Sequence, residues 1–191
     1  MIELPWYRTS GKLMTTISDE DFSKVMSNGY FAKRKHKGFI AILYYSAVRK
    51  REALRAKKEQ FRILDDRVIF EVGKRLKHGM QTPPLNIPLS APYVDEIAWS
   101  IVNTEPHHVV WPYSSKTAYN IVRRVFPGYP HYFRLNRITT FFEEGWTIAQ
   151  VRTWTGLTLN ALEFYVGLVD VKRMGESLGR KRREKSASGK E

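Results

Sequence analysis

Two stretches decide the fold class: FRILDDRVIFEV, Phe61 to Val72, and, twelve residues later, LNIPL, Leu85 to Leu89. Phe61 to Leu64 and Arg67 to Val72 are rich in β-branched and aromatic residues, and Asp65-Asp66 between them signals a tight turn. After the polar, turn-rich segment from Gly73 to Pro84, Leu85 to Leu89 reads as a third short strand. The three runs predict a small antiparallel sheet. On both sides of it the apolar periodicity changes from strand to helix.

Upstream, Met1 to Thr16 reads as an irregular lead-in, and Ser18 opens a short helix, SDEDFSKVM. Its acidic residues fall in the first turn, where the helix dipole favours them, and Asn28-Gly29 ends it. A cationic loop, Lys33-Arg34-Lys35-His36-Lys37-Gly38, leads into a long helical stretch from Phe39 to about Ala56. The first half of that stretch is almost wholly apolar and is expected to be buried on most sides. Downstream, helices are expected over Pro92 to Val102 after a Ser90 cap, Ser115 to Val125 after Ser114, and His131 to Glu144 after Pro127-Gly128-Tyr129-Pro130. Thr147 to Trp154 carries a capping-box pattern, Thr147 with Gln150, and a last helix runs from about Leu159 to Val169. The fold class is therefore mainly α with a small antiparallel three-stranded β-sheet. One domain is expected over residues 17–171, between the lead-in of 1–16 and a Lys/Arg/Ser/Gly-rich tail of 172–191 that is expected to be disordered without a partner.

Composition excludes several classes. With 191 residues, 42% apolar and 13% aromatic, the chain is long and apolar enough to bury a proper core. The absence of cysteine removes a disulfide scaffold, a thiolate nucleophile and any cysteine-held zinc or iron–sulfur site. No apolar run approaches the roughly 18–20 residues of a membrane span. MIELPWYRTS lacks a signal-peptide core, so the expected location is cytoplasmic and nucleoid-associated, or the host cytoplasm for a viral protein. The net charge is +13, of which the tail from Lys172 supplies +5 and the body +8. A basic folded body points to a polyanionic partner, most often nucleic acid, and ribosomal or other RNA-binding roles fit it as well as DNA.

The sequence holds no G-x-x-x-x-G-K-[ST], G-x-G-x-x-G or H-E-x-x-H, and no acidic cluster suited to catalytic Mg²⁺. Phosphate chemistry would rest on Arg, Lys and His. In YSAVRKREAL, Arg49 and Glu52 share a helix face, which suits either a carboxylate-oriented phosphate clamp or an ordinary surface pair. In PHYFRLNR, His131 and Arg134 share a face in the first turn of an expected helix, where N–H groups favour an anion; a satisfied capping histidine fits equally. In TLNALEFYVGL, Tyr165 lies near a helix end, a position more often core or interface than catalytic. His107-His108 invites a metal, but no further ligands stand at suitable spacing, and a surface pair is the plainer reading.

Taken in order, these segments resemble the catalytic domain of the tyrosine recombinases, the phage-integrase family, and more loosely the type IB topoisomerases. Ser46-Ala47-Val48-Arg49-Lys50-Arg51-Glu52 stands where the family has its first arginine box, T-G-L-R-x-x-E. Arg67 to Lys74 looks like the hairpin that carries the family's catalytic lysine, here Lys74, and Asn86-Ile87-Pro88-Leu89 matches the returning strand. Pro130-His131-Tyr132-Phe133-Arg134 matches the H-x-x-R box, and Arg137-Ile138-Thr139 continues it in a manner similar to archaeal members. Phe164-Tyr165-Val166 falls where the nucleophile is expected. The resemblance spans about residues 16 to 170 in consistent order.

The chain departs from the pattern in two places. The family's L-G-H/W donor position falls on Leu157, which cannot donate, leaving Trp154, three residues earlier, as its substitute. The family's N-terminal core-binding domain has no counterpart, so the chain reads as a catalytic-domain fragment or as the short single-domain type.

The resemblance implies that Tyr165 attacks a DNA phosphodiester, forming a 3′-phosphotyrosyl bond and releasing a 5′-hydroxyl. Arg49 and Arg134 would clamp the transition-state charge, Lys74 would protonate the leaving oxygen, His131 would act as base or phosphate donor, and Glu52 would orient the arginines. The covalent link conserves the phosphodiester energy, so no cofactor is expected: neither ATP nor metal. Lys33, Arg34, Lys35, Lys37, Arg75, Lys77, Lys116, Arg123, Arg124 and Arg137 are the expected contacts to double-stranded DNA. The family also implies a homo-oligomer on DNA, a tetrameric synapse, built from a chain that is monomeric when free. The alternatives are a non-catalytic DNA-binding relative with Leu157 marking a lost site, and a basic RNA-binding domain.

Overall fold

The computed structural model describes residues 17–27, 33–72, 83–125, 130–167 and 169. Eight α-helices, one 3₁₀ turn (Lys58–Gln60) and three strands follow one another in these segments. They are α1 (Asp19–Ser27), α2 (Arg34–Ser46), α3 (Lys50–Ala53), β1 (Phe61–Ile63), β2 (Arg67–Phe70), β3 (Leu85–Pro88), α4 (Val94–Val102), α5 (Ser115–Val125), α6 (Pro130–Glu143), α7 (Ile148–Thr155) and α8 (159–167). The sheet has the order β1-β2-β3 and is antiparallel throughout, with Phe61 opposite Phe70 and Val68 opposite Ile87. Alternation puts Phe61, Val68, Phe70, Leu85 and Ile87 on the buried face. Phe61 and Phe70 stack at 4.2 Å, and the edge of the buried Trp111 closes over Phe61 at 5.9 Å. The Asp65-Asp66 turn is present, closed by Leu64 N–H donating to the Arg67 carbonyl at 2.9 Å.

Helix α2 is the centre of the core. Residues Gly38 to Ser46 are all buried, as its apolar sequence requires, and it packs against α4 and α6. The α2–α4 crossing is close because Gly38 lacks a side chain: a Cβ there would stand 2.5 Å from the Glu96 carbonyl oxygen and from Ser100 Oγ. Phe22 of α1 lies flat on Tyr44 at 3.9 Å, which joins α1 to the same core.

Element types and order agree with the sequence reading, and the differences have local causes. The cationic segment 33–38 is the first turn of α2 and not a loop; Arg34 anchors it by donating to Glu96 of α4 at 2.6 Å and lying over the Trp99 ring at 5.0 Å. The long helix expected from Phe39 to about Ala56 stops at Ser46. Ala47 takes a left-handed conformation (φ 54°), Val48 N–H turns onto Ser46 Oγ, and a separate single turn, α3, begins at Lys50. Helix α4 begins at Val94 after Tyr93, itself left-handed (φ 63°), and not at Pro92. The Thr147/Gln150 capping box is present and opens α7 at Ile148. Residues 1–16, Asn28-Gly29 and the tail of 172–191 lie outside the described residues. Among the described residues, no helix is long and apolar enough to cross a membrane.

Candidate active site

The corner between α2 and α3 is where the site begins. A residue that leaves the α-helical region at Ala47 exposes the last carbonyls of α2 to partners other than the next turn. Two side chains from distant elements take them. Arg134 of α6 donates from Nη1 to the Ala47 carbonyl at 2.5 Å, and Trp154 of α7 donates from Nε1 to the Ser46 carbonyl at 3.3 Å. The second guanidinium nitrogen, Nη2, donates to the Thr155 carbonyl at the end of α7, at 3.1 Å. Arg134 therefore fastens α6, the α2–α3 corner and the end of α7 together, and it does so at 1% exposure.

That arrangement fixes a positive charge in a poorly solvated place. Both hydrogen-bond partners are neutral carbonyls. Burial pushes the Arg134 guanidinium down to about 10, Arg49 pushes the same way, and Glu52 and Tyr165 oppose it. It stays charged at neutral pH. A buried cation held by neutral acceptors is a preorganised donor for an anion that arrives from outside.

Arg49 stands at the N-cap of α3. Its main-chain N–H donates to Glu52 Oε2 at 2.6 Å and its Nη1 to Glu52 Oε1 at 2.9 Å. The expected Arg49–Glu52 pair is thus present, but it caps a helix and does not ride on one. The Glu52 carboxylate holds both the main chain and the side chain of Arg49, leaving the arginine half-exposed and restrained. His131, the second residue of α6, reaches the surface without being fully solvated. Partial burial lowers its pKa first, then the positive charges of Arg134 and Arg49. Near pH 7 its imidazole is neutral and able to accept a proton. Tyr165 on α8 is 7% exposed and close enough to Arg134 to act on its charge. Arg49, Glu52, His131, Arg134 and Tyr165, the first and last of them 116 positions apart in the chain, thus share one electrostatic neighbourhood.

Leu157 follows Gly156, the left-handed C-cap of α7 (φ 63°), and packs half-buried on the core, with its N–H 3.3 Å from Thr155 Oγ1. The Trp154 indole, read from the sequence as the substitute donor, gives its N–H to Ser46 and sets its ring edge-on to Phe141 at 5.7 Å and Trp146 at 5.6 Å. Lys74, Arg75 and Lys77 lie outside the described residues.

The remaining cations divide by what they touch. Arg34 is engaged with Glu96 and, at 3.8 Å, Asp95; Lys37 lies over the Tyr93 ring at 5.5 Å. Arg137 is partly buried over the Phe141 ring at 4.7 Å and reaches Glu144 at 3.7 Å. Lys33, Lys116, Arg123 and Arg124 are exposed, with Arg123 donating to Tyr119 Oη at 3.1 Å, and Lys35 is partly exposed. The sequence reading missed Lys50, whose Nζ donates to Ser115 Oγ at 2.7 Å and ties α3 to the start of α5. It also missed the Thr155 carbonyl; no side-chain pattern announces a main-chain acceptor. His107 lies exposed 3.7 Å from Glu59.

No protein-family model matches the chain, and no curated protein matches it in sequence. Solved structures do match. The XerH site-specific recombinase bound to difH substrate, in a pre-cleavage complex, superposes with a TM-score of 0.62 at 16% identity, over 81% of this chain and 51% of its own. The XerA recombinase superposes with a TM-score of 0.61 at 14% identity, over 85% and 61%. The Tn1549 transposon integrase, in complex with circular intermediate DNA, gives 0.57 at 14% identity, over 82% and 62%. The chain spans about half to three-fifths of the length of these proteins. It has the tyrosine recombinase catalytic-domain fold: mostly helical, with a small three-stranded antiparallel sheet.

Proposed function

We propose that this chain is the catalytic domain of a site-specific DNA recombinase, which cleaves and rejoins duplex DNA through a covalent 3′-phosphotyrosyl link. The observation that carries the reading is Arg134: a buried guanidinium held by two carbonyls and standing beside Tyr165, Arg49 and His131. Such a cluster has surplus positive charge and a phenol, which suits a phosphodiester and a nucleophile to attack it. The fold and its DNA-bound neighbours support the same reading.

The phenolic oxygen of Tyr165 bonds to phosphorus as the bond from phosphorus to the 5′-oxygen breaks. His131, neutral near pH 7, takes the phenolic proton. Arg134 and Arg49 hold the non-bridging oxygens as negative charge builds on them. Glu52 keeps Arg49 in place. Lys74 is assigned the proton that goes to the departing 5′-oxygen. Attack of a 5′-hydroxyl on the phosphotyrosine reverses every transfer and reseals the strand. Because the covalent link conserves the phosphodiester energy, the cycle has no need of ATP. The partner is double-stranded DNA, joined in a homo-oligomeric, tetrameric synapse, and the biological role is recombination of a mobile element.

A covalent-adduct assay tests the reading. Wild-type protein and Tyr165→Phe are incubated with supercoiled and nicked duplex DNA, denatured in detergent, and examined for protein-linked DNA. Wild type alone should form the adduct, and both should bind duplex. Duplex binding by wild type with no adduct, even after an N-terminal DNA-clamping domain is fused to it, would mark a non-catalytic DNA-binding protein instead.

A further inference from the structure

Ile17, the residue before the Ser18 cap of α1, is held by both of its main-chain groups. Its N–H donates to Asn136 Oδ1 of α6 at 2.6 Å, and its carbonyl accepts from Tyr44 Oη of α2 at 3.0 Å. All three residues are buried. The start of a helix does not require this. Ser18 Oγ already caps α1 by accepting from Asp21 N–H at 3.1 Å, and Ile17 and Phe22, at the two positions of a hydrophobic staple, both lie in the core. The extra bonds fasten the incoming chain to α2 and α6, and on α6 Asn136 stands two residues from Arg134.

Two donors at this place lack an acceptor among the described residues: Asn136 Nδ2 and Tyr45 Oη, in residues 3% and 6% exposed. Nδ2 shares a planar carboxamide with the Oδ1 that takes the Ile17 N–H, so it is pressed against the same main chain. Tyr45 is placed by its ring, edge-on to Tyr44 at 4.9 Å and to Phe22 of α1 at 5.7 Å. Burial, and then the Asp19 carboxylate, raise both phenols, so Tyr44 and Tyr45 stay protonated and able to donate. Buried donors are nearly always paired. Downstream of Ile17 the acceptors are in use: its carbonyl by Tyr44, the Ser18 carbonyl by Phe22 N–H at 2.9 Å, Ser18 Oγ by Asp21 N–H, and Asp19 Oδ1 by Tyr44 at 3.0 Å. The Asp19 charge also disfavours an anion, which leaves a neutral carbonyl or hydroxyl. Thr15 and Thr16, directly upstream, carry both kinds of oxygen. As β-branched residues they favour an extended course, which turns main-chain carbonyls sideways toward such donors.

We infer that Asn136 Nδ2 and Tyr45 Oη dock the chain immediately upstream of Ile17, taking carbonyl or hydroxyl oxygens of Thr15 and Thr16, so that this segment is fastened to the helix that carries Arg134. The occupant is this chain's own Thr15-Thr16 and not a separate peptide, because Ile17 already lies in the clamp and Thr16 is one peptide bond away. The contact makes no use of DNA chemistry, so the adduct assay and the test of this contact stand or fall separately.

Limited digestion of the full chain with trypsin, at about pH 8, is the test. Upstream of Ile17 there are two tryptic sites, Arg8 and Lys12. Cleavage after Lys12 requires the residues that follow it, Thr15 among them, to leave the domain and enter the protease; cleavage after Arg8 does not. Wild type should be cut after Arg8 well before Lys12. Tyr45→Phe removes the hydroxyl alone. Asn136→Asp, ionised about four units above its ordinary pKa, keeps an acceptor for the Ile17 N–H and puts a second acceptor where Nδ2 donated. Each variant should speed the Lys12 cut about 2- to 10-fold, the loss of one hydrogen bond from the opening equilibrium, with the Arg8 rate unchanged. Trp154→Phe loses a hydrogen bond elsewhere in the core and should leave the ratio of the two rates as in wild type. Cuts after Arg134 and Arg137 report opening of the whole fold. Equal cutting at Arg8 and Lys12 in wild type overturns the inference. So does a Lys12 rate that stays unchanged in one or both variants, or that rises only in step with the cuts in α6.

Discussion

Replacing Arg134 by lysine keeps the positive charge and removes the fork. In the structure one guanidinium serves two carbonyls on different elements, Ala47 at 2.5 Å and Thr155 at 3.1 Å, at 1% exposure. A lysine ammonium is a compact point charge on a flexible stem and cannot span both acceptors. One buried carbonyl loses its partner, which costs about 1–3 kcal/mol, and the more strongly hydrated ammonium adds to the desolvation. The total is about 2–4 kcal/mol. For a chain of this size that lowers Tm by on the order of 10 °C. Thermal unfolding followed by circular dichroism at pH 7 reads this directly. Cleavage, measured at a temperature where the variant is folded, should fall by about 100-fold or more, since the two-nitrogen clamp is lost with the fork. A Tm within about 2 °C of wild type, at the same domain size, would refute the claim that Arg134 fastens three elements through its carbonyl bonds.

Other substitutions probe separate parts of the account. Gly38→Ala forces a Cβ to within 2.5 Å of the Glu96 carbonyl, so α2 and α4 must separate; chemical unfolding should register a loss of about 1–3 kcal/mol. Trp154→Phe keeps the ring and deletes the donor to Ser46, which should cost about 0.5–1.5 kcal/mol in the same measurement and leave DNA affinity unchanged. For His131 the folded pKa is lowered, so the unfolded chain binds the extra proton first as pH falls from about 6.5. Wild type should lose stability relative to His131→Gln below that pH, and above it the difference should stop changing with pH.

Much of the architecture was legible because local signals were strong. The Asp65-Asp66 turn sits between two β-rich runs, and the Thr147/Gln150 box opens α7 where expected. The break at Ala47 was not legible. Neither glycine nor proline marks it; donors from Arg134 and Trp154, 87 and 108 residues away from their acceptors, take the carbonyls that a continuing helix would use. The same blindness affected the site. Residue types at Arg49, His131, Arg134 and Tyr165 suggested phosphate chemistry, yet only the fold shows Arg134 buried and fixed by main-chain carbonyls. The cationic segment before Gly38 divided in a way no composition could show: Arg34 turns to Glu96, while His36 turns to Tyr113.

The central claim is that one phenolic oxygen, that of Tyr165, becomes the DNA attachment point. Tryptic digestion of the covalent complex, after the DNA is trimmed to a short nucleotide remnant, allows the modified residue to be mapped by mass spectrometry. Cleavage after Arg152 and Lys172 yields TWTGLTLNALEFYVGLVDVK, in which Tyr165 is the sole tyrosine. The account predicts the nucleotide mass on that peptide, at Tyr165, and its absence from every other peptide. A remnant on another hydroxyl, or a Tyr165→Phe protein that still carries one, would contradict it.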